Sequence, residues 1–173
     1  FKGGTWVGSL NADETRLMMM LRGEFRRASM GLTDPLEPER RIVFRLGPRT
    51  APKVTVDRQG KQVTAHFRIF MDGDMMSVQS QNDYTRPALK EKLEVAVEQE
   101  LEQRMAVVLN KTLNQWAVDV FRIDDRLKAT VRTWGEWESL DWGRSVAQTR
   151  YTVDVSFRMR RFGLQTQPSQ PRE

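Results

Sequence analysis

The sequence predicts a domain of the α+β class. In it, an antiparallel β-sheet of about four to six strands of mixed length packs against one long amphipathic helix, together with short helices. Three observations lead to this prediction. An unbroken helical period runs over residues 87–119, apolar and polar residues alternate in several segments before it, and a further alternating segment follows near the C-terminus.

The composition is that of a globular protein with a well-solvated surface. Of the 173 residues, 39% are hydrophobic and 29% are charged. The net charge of +5 permits contact with an anionic surface, although the excess is spread along the chain. No run approaches the roughly 18 apolar residues of a membrane-spanning helix. The absence of cysteine excludes disulfides within this sequence.

The first part of the chain is predicted to form a short strand, a short helix and a second short strand, in that order. Residues 5–10 are interpreted as a strand, and Asn11 is predicted to cap a short helix. The run 17–21 is apolar on every side, so it should be buried. A return strand is predicted over residues 24–28, and the proline-containing segment 33–38 is interpreted as a loop.

Alternation of apolar and polar residues then predicts an antiparallel meander. Strands are indicated over residues 42–46, 54–56 and 63–69, the last two joined by a hairpin turn at Gly60. The sequence Asp-Gly-Asp at 72–74 is predicted to interrupt the third strand as a bulge or turn.

The long helix is the element around which we expect the rest to be organised. At 1.5 Å per residue it would run roughly 45 Å. Thr85 and Pro87 suit its first turn. Its predicted buried stripe consists of Leu89, Leu93, Val97, Leu101, Met105, Val108, Thr112, Leu113 and Trp116.

A second, shorter helix and a final strand follow. Helical spacing from Ile123 to Trp134 predicts the helix, with Asp124 or Asp125 as its cap. The strict alternation over residues 151–159 predicts a strand whose apolar face packs on the long helix. We predict one domain over residues 1–164 and a polar, disordered tail over residues 165–173.

The sequence contains few residues in patterns typical of catalytic, phosphate-binding or metal-binding sites. The only histidine, His66, shares its strand face with polar residues, and the glycines form no phosphate-binding loop. The acidic neighbours at 124–125 and 136–138 are of the kind common at helix starts and in surface loops. We therefore predict no enzymatic activity, no cofactor and no metal.

Two further groups could bind ligands. The arginines at 158, 160 and 161, like those at 22, 26 and 27, could hold phosphate or carboxylate, although arginines on strands are more often solvated or paired across strands. Three tryptophans lie within residues 134–142 and could form a platform for a sugar or a base. Their acidic neighbours disfavour nucleic acid, so packing is the commoner explanation and no nucleic-acid partner is predicted.

Two stretches together resemble a known family. The N-terminal FKGGTWVGSLNADETRLMMMLRGE contains a Gly-x-Leu step followed by Glu-Thr-Arg and an apolar run. The C-terminal half contains the long helix, an Asp-x-Phe step at residues 119–121, the tryptophans and an Arg-Arg-x-Gly-Leu patch at residues 160–164. In order and spacing, residues 1–164 resemble the C-terminal domain of Ger(x)C spore germination proteins.

The resemblance implies a function and a location. Proteins of this family are the lipoprotein C subunits of nutrient germinant receptors, required for germination in response to nutrients. The resemblance implies A and B receptor subunits as partners. It also implies an N-terminal lipid anchor in a longer protein, on the outer face of the inner spore membrane. The chain begins at Phe1 without a leader or lipid-bearing cysteine, so we expect it to be a soluble piece of such a protein.

The leading hypothesis is therefore a non-enzymatic assembly domain that acts through protein contacts. The alternative is a domain that binds a small molecule or peptidoglycan fragment through its tryptophan-rich segment. The predicted partner-contact residues are Asp119, Phe121, Ile123, Trp134, Trp137, Trp142, Arg160 and Arg161.

Overall fold

The computed structural model describes residues 2–162, and it confirms an α+β fold in which a β-sheet packs on one long helix. The predicted tail at residues 165–173 lies outside the described residues. The elements, in chain order, are α1 (Ala12–Arg22), β1 (Ala28–Thr33), β2 (Arg41–Pro48), β3 (Lys53–Gln59), β4 (Gln62–Val78), α2 (Pro87–Leu109), α3 (Ile123–Lys128), α4 (Trp134–Leu140), α5 (Trp142–Ser145) and β5 (Arg150–Phe162).

Strand β4 is the centre of the sheet. Strand β5 pairs with it from Thr64 to Met75, while β3 and β2 lie end to end along its other edge, and β1 pairs with β2. We predicted antiparallel pairing throughout, but β5 runs parallel to β4. A parallel pair requires a long crossover connection, and α2 with the short helices supplies it.

The predicted interruption of β4 at residues 72–74 is wrong, because the strand continues for 17 residues. Gly73 is needed for close packing instead: a Cβ atom there would lie 2.6 Å from Cε2 of Phe157. The extra residue at this position lies in β5, whereas the extra residue of β4 itself is Met76, opposite β2. Gly73 pairs with Met159 and Asp74 with Arg161, so Arg160 is the extra residue of a bulge in β5.

Helix α2 begins at Pro87, as predicted, but Thr85 does not cap it, since the Thr85 hydroxyl bonds Asp83. After Leu109 six residues, Asn110–Gln115, continue in π-helical geometry, so the helical path ends at Gln115 rather than at residue 119. Ala117 has a positive φ of 52°, which breaks the helix. Most of the predicted stripe is confirmed as core, while Leu89 and Trp116 at its two ends are only half-buried. The buried stripe residues are Leu93, Val97, Leu101, Met105, Val108, Thr112 and Leu113.

Three glutamates of α2 bond the free edge of β5. The backbone N–H of Met159 donates to Glu94 (2.7 Å), that of Phe157 to Glu98 (2.8 Å), and that of Val155 to Glu102 (2.9 Å). Four residues of helix rise about 6 Å and two residues of strand about 6.7 Å. Glutamates four apart on α2 therefore match N–H groups two residues apart on β5. We call Glu94, Glu98 and Glu102 the glutamate ladder.

The opposite edge of the sheet meets the same helix. Glu100 accepts a hydrogen bond from the backbone N–H of Thr33 in β1 (2.8 Å) and pairs with Arg104. Two strands, β2 and β4, lie between β1 and β5 in the sheet. Because β1 and β5 nevertheless both contact α2, the sheet curves around this helix. The core lies in the concave space between them.

The N-terminal predictions were partly wrong. Residues 5–10 form no strand, and Gly8 lies so close to the Trp116 ring that a Cβ atom would be 2.4 Å from it. The predicted helix is confirmed, with Asn11 capping it. The return strand begins only at Ala28, because a left-handed Gly23 ends α1 and the following N–H groups bond back to Met19.

The predicted second helix is divided. Helix α3 ends at Lys128, and Trp134 begins a separate helix, α4. Neither Asp124 nor Asp125 is the cap, since both lie in the first turn and Arg122 occupies the cap position in a left-handed conformation. The predicted packing of the last strand on the long helix is confirmed, and the Tyr151 hydroxyl donates to the Ala106 carbonyl (3.2 Å).

Candidate functional site

The Asp-x-Phe segment has a structural role. The Asp119 carboxylate accepts hydrogen bonds from the backbone N–H groups of Phe121 (3.0 Å) and Asp124 (2.9 Å), and so holds the start of α3. Phe121 is 4% exposed and packs edge-on against Phe67, and Ile123 is fully buried. Phe121 and Ile123 are therefore part of the core of the folded domain, and their contact with a partner stays a prediction.

The three tryptophans of the predicted platform have different environments. Trp134 is 71% exposed, and its Nε1 donates to Glu138 (2.8 Å). Trp137 and Trp142 are half-buried against the core, and Lys128 lies over the Trp137 ring at 5.1 Å. A ligand would therefore meet one free indole face rather than a stack, and the geometry gives little support to the small-molecule alternative.

Arg160 and Arg161 lie on the face of the sheet that is turned away from α2. The residues of this outer face alternate along β2, β4 and β5 with the residues that point into the core. Their side chains are exposed or half-buried. We call it the outer sheet face. Because Arg160 is the extra residue of the β5 bulge, Arg160 and Arg161 both project from this face.

The strand pairing arranges charges here in two rows. In the first row Gly47 pairs with Asp72 and Asp72 with Arg158, and the Arg27 side chain covers Gly47. In the second row Arg45 pairs with Asp74, and Asp74 with Arg161. Residues two apart on a strand are separated by about 6.7 Å, so the rows are adjacent.

Two further arginines complete the group around Asp72. The Arg160 Nε donates to Asp72 Oδ2 at 2.8 Å. Arg49 lies over the Phe70 ring at 5.6 Å and donates to the Ser156 hydroxyl at 2.9 Å. Its buried Nη1 is 3.9 Å from Asp72 Oδ1, and neither of these two atoms has a hydrogen-bond partner within residues 2–162.

Six arginines thus lie on or beside the two rows that contain Asp72 and Asp74, and we call this group the arginine cluster. Its members are Arg27, Arg45, Arg49, Arg158, Arg160 and Arg161. The sequence indicated its parts, because residues 158–161 and residues 26–27 stood out as basic groups. Arg45 and Arg49 were missed, since only the strand pairing shows which distant residues share a row.

At the other end of the outer sheet face, basic side chains lie next to acidic ones. Arg68 lies 3.8 Å from Asp154, and His66 contacts both Asp57 (3.1 Å) and the Thr152 hydroxyl (2.8 Å). His66 projects from the outer face as predicted. Positive charge is therefore concentrated around Asp72 and Asp74 rather than spread evenly over the sheet.

Within residues 2–162, histidine and acidic side chains form no group of three that could hold a metal ion. Over the same residues, none of the helices has the length and apolar character needed to cross a bilayer.

The fold and these surfaces define a small α+β domain whose most distinctive feature is a charged sheet face. Comparison with known proteins gives its family. The chain belongs to the family described as spore germination B3/GerAC like, C-terminal, whose sequence model matches residues 1–163. This confirms the resemblance to the C-terminal domain of Ger(x)C proteins.

Individual relatives agree with this assignment. The chain is 24% identical over 159 residues to spore germination protein B3 of Bacillus subtilis (strain 168), covering 91% of this chain and 41% of that protein. The crystal structure of the GerBC protein has a similar fold, with a TM-score of 0.71 at 21% identity, over 88% of this chain and 47% of that one. The chain therefore spans less than half the length of these relatives.

Proposed function

We propose that this domain is a non-enzymatic assembly module of a germinant-receptor C subunit, which contributes protein contacts to a receptor required for germination in response to nutrients. The observation that carries the proposal is the family match over residues 1–163. The family described by that match is one of spore germination proteins and not a known enzyme family.

The proposal includes the partners and the location. The A and B subunits of the receptor would be the partners. The longer protein would be held by an N-terminal lipid on the outer face of the inner spore membrane. Fractionation of spores should then recover the longer protein with the inner membrane. If the intact longer protein were recovered in the soluble fraction instead, this location would be contradicted.

The first experiment is a pull-down of the purified chain with the soluble domain of the cognate A subunit. Specific retention is expected, at a level well above that of an unrelated protein of similar size and isoelectric point. No retention above this control would contradict direct contact with that domain. The control is needed because a net charge of +5 favours non-specific binding.

Of the predicted contact residues outside the sheet, Trp134 remains a candidate. Trp134→Ala removes an indole that is 71% exposed, so it should weaken binding without unfolding the domain if α4 lies in the interface. Trp6→Ala is the matched control, because Trp6 is also exposed, at 65%, and lies in a different part of the chain. Equal binding by both variants would exclude α4 from the interface.

A further inference from the structure

We infer that the arginine cluster on the outer sheet face is a docking surface for an acidic protein segment, one that presents several carboxylates. The inference rests on the proposed function, since it gives the chemistry of the partner that an assembly module would bind. Its basis is charge complementarity: four arginines of β2 and β5, and two more from the segments beside them, lie around only two aspartates of β4.

The cluster has more positive charge than its own aspartates neutralise. The Asp72 carboxylate contacts Arg49 and Arg160, and Arg158 is its neighbour on β5, while Asp74 lies between Arg45 and Arg161 in the strand pairing. Arg45, Arg158 and Arg161 are exposed. Their N–H groups are therefore directed towards solvent, where a guanidinium group can bind a carboxylate through two parallel hydrogen bonds.

Several members of the cluster are held in place. Arg49 is stacked on Phe70 and bonded to Ser156, and Arg160 is bonded to Asp72. The strands hold the backbones of Arg45, Arg158 and Arg161 in register, at spacings of about 4.8 Å across and 6.7 Å along the sheet. A fixed pattern of planar donors favours a partner with carboxylates at defined positions.

A protein partner fits these observations better than a lipid surface. Arginines held by stacking and hydrogen bonds lose less conformational freedom on meeting ordered carboxylates than flexible side chains would. The face also offers little apolar surface for insertion into a bilayer. Of the exposed large hydrophobic residues in the described part of the chain, only Met76 lies in a strand.

The test uses a triple variant, Arg45→Gln, Arg158→Gln and Arg161→Gln, which removes exposed charges and keeps hydrogen-bonding groups. The matched control is Lys53→Gln, Arg68→Gln and Arg150→Gln. It removes the same charge from exposed positions at the other end of the sheet. Equal thermal unfolding temperatures would establish that both variants fold.

Three probes are compared at low and physiological salt: the A-subunit domain, labelled poly-L-glutamate and vesicles containing phosphatidylglycerol. We expect the cluster variant to bind the first two about tenfold more weakly than wild type, and the control variant to lose much less. Binding by the wild type should also fall as salt rises.

The outcomes separate the inference from the proposed function. If the A-subunit domain binds wild type and both variants equally, the docking surface is refuted while the assembly role stands. If that domain does not bind wild type, the proposed contact fails. A cluster-specific loss with poly-L-glutamate would then still support acidic recognition. A cluster-specific loss with vesicles alone would refute a protein partner in favour of a membrane.

Discussion

Asp34 illustrates how a single buried side chain connects distant parts of this chain. It is fully buried after β1, and its carboxylate accepts hydrogen bonds from the hydroxyls of Ser80 (2.6 Å) and Tyr84 and from the backbone N–H of Leu36 (2.9 Å). Burial alone would raise the pKa of Asp34, but the hydrogen bonds outweigh it and hold that pKa below its usual value. The loop after β1 is thereby tied to the segment before α2.

The lowered pKa of Asp34 predicts that the domain loses stability in acid. The ionised carboxylate stabilises the fold fully above the unfolded-state pKa, about 3.9 for aspartate, and this contribution disappears as pH falls through the lower folded-state pKa. Urea unfolding between pH 6 and pH 3 should show it. Asp34→Asn should lower the free energy of unfolding at pH 6 by about 2–4 kcal/mol and reduce the dependence on acid.

A surface aspartate provides the control for this prediction. Asp125 is 61% exposed beside Lys128, so Asp125→Asn should change the free energy of unfolding by less than about 1 kcal/mol. Equal effects of the two substitutions at pH 6 would contradict the role assigned to Asp34.

At the scale of elements, α2 and β5 are joined by buried apolar side chains and by the hydrogen bonds of the glutamate ladder. The edge N–H groups of a sheet are a template for pairing with another chain unless something covers them. Here Glu94, Glu98 and Glu102 accept the edge N–H groups of Met159, Phe157 and Val155. The helix therefore closes the edge as well as covering the core.

The ladder predicts a local effect of substituting Glu98. Glu98→Ala leaves the partly buried N–H of Phe157 without its acceptor, so the free energy of unfolding should fall by about 1–3 kcal/mol. Hydrogen exchange at the Phe157 amide should become faster. Denaturant unfolding and residue-resolved hydrogen exchange measure the two effects.

Two variants distinguish the ladder from a loss of charge. Glu98→Gln keeps a carbonyl oxygen as acceptor and should cost less than Glu98→Ala. Glu91→Ala removes an exposed glutamate from the outer side of the same helix and should leave the Phe157 amide unaffected. Unchanged exchange at Phe157 in Glu98→Ala would refute the ladder as a constraint on β5.

At the scale of the whole molecule, the described helices and strands share one hydrophobic core. Residues from α1, the strands, α2 and the short helices form a single buried cluster. Both edges of the sheet contact α2, and Glu14 of α1 bonds Lys111 beyond the end of α2 at 2.9 Å. No described segment has a separate core of its own.

This shared core predicts one cooperative unfolding transition. The transitions followed by tryptophan fluorescence and by far-ultraviolet circular dichroism should coincide, because the indoles of Trp137 and Trp142 pack on the same core as the strands. The calorimetric and van't Hoff enthalpies should agree. Two separate transitions would contradict the prediction of a single domain over residues 1–164.

Much of the fold could be predicted because it depends on local periodicity. The stripe of α2, the capping of α1 by Asn11 and the alternation in β2, β3 and β5 all follow from side-chain spacing. The predictions failed where a neighbour distant in sequence decides the conformation. Trp116 against Gly8 and Phe157 against Gly73 are such cases.

The sequence by itself determined the α+β class, the central helix and its buried face, because hydrophobic periodicity needs only neighbouring residues. The tertiary structure alone decided the parallel placement of β5, the pairing of the glutamate ladder and the gathering of the arginine cluster. These features join residues from separate strands and helices. Their register is set by how the elements pack together, which no local pattern of residues records.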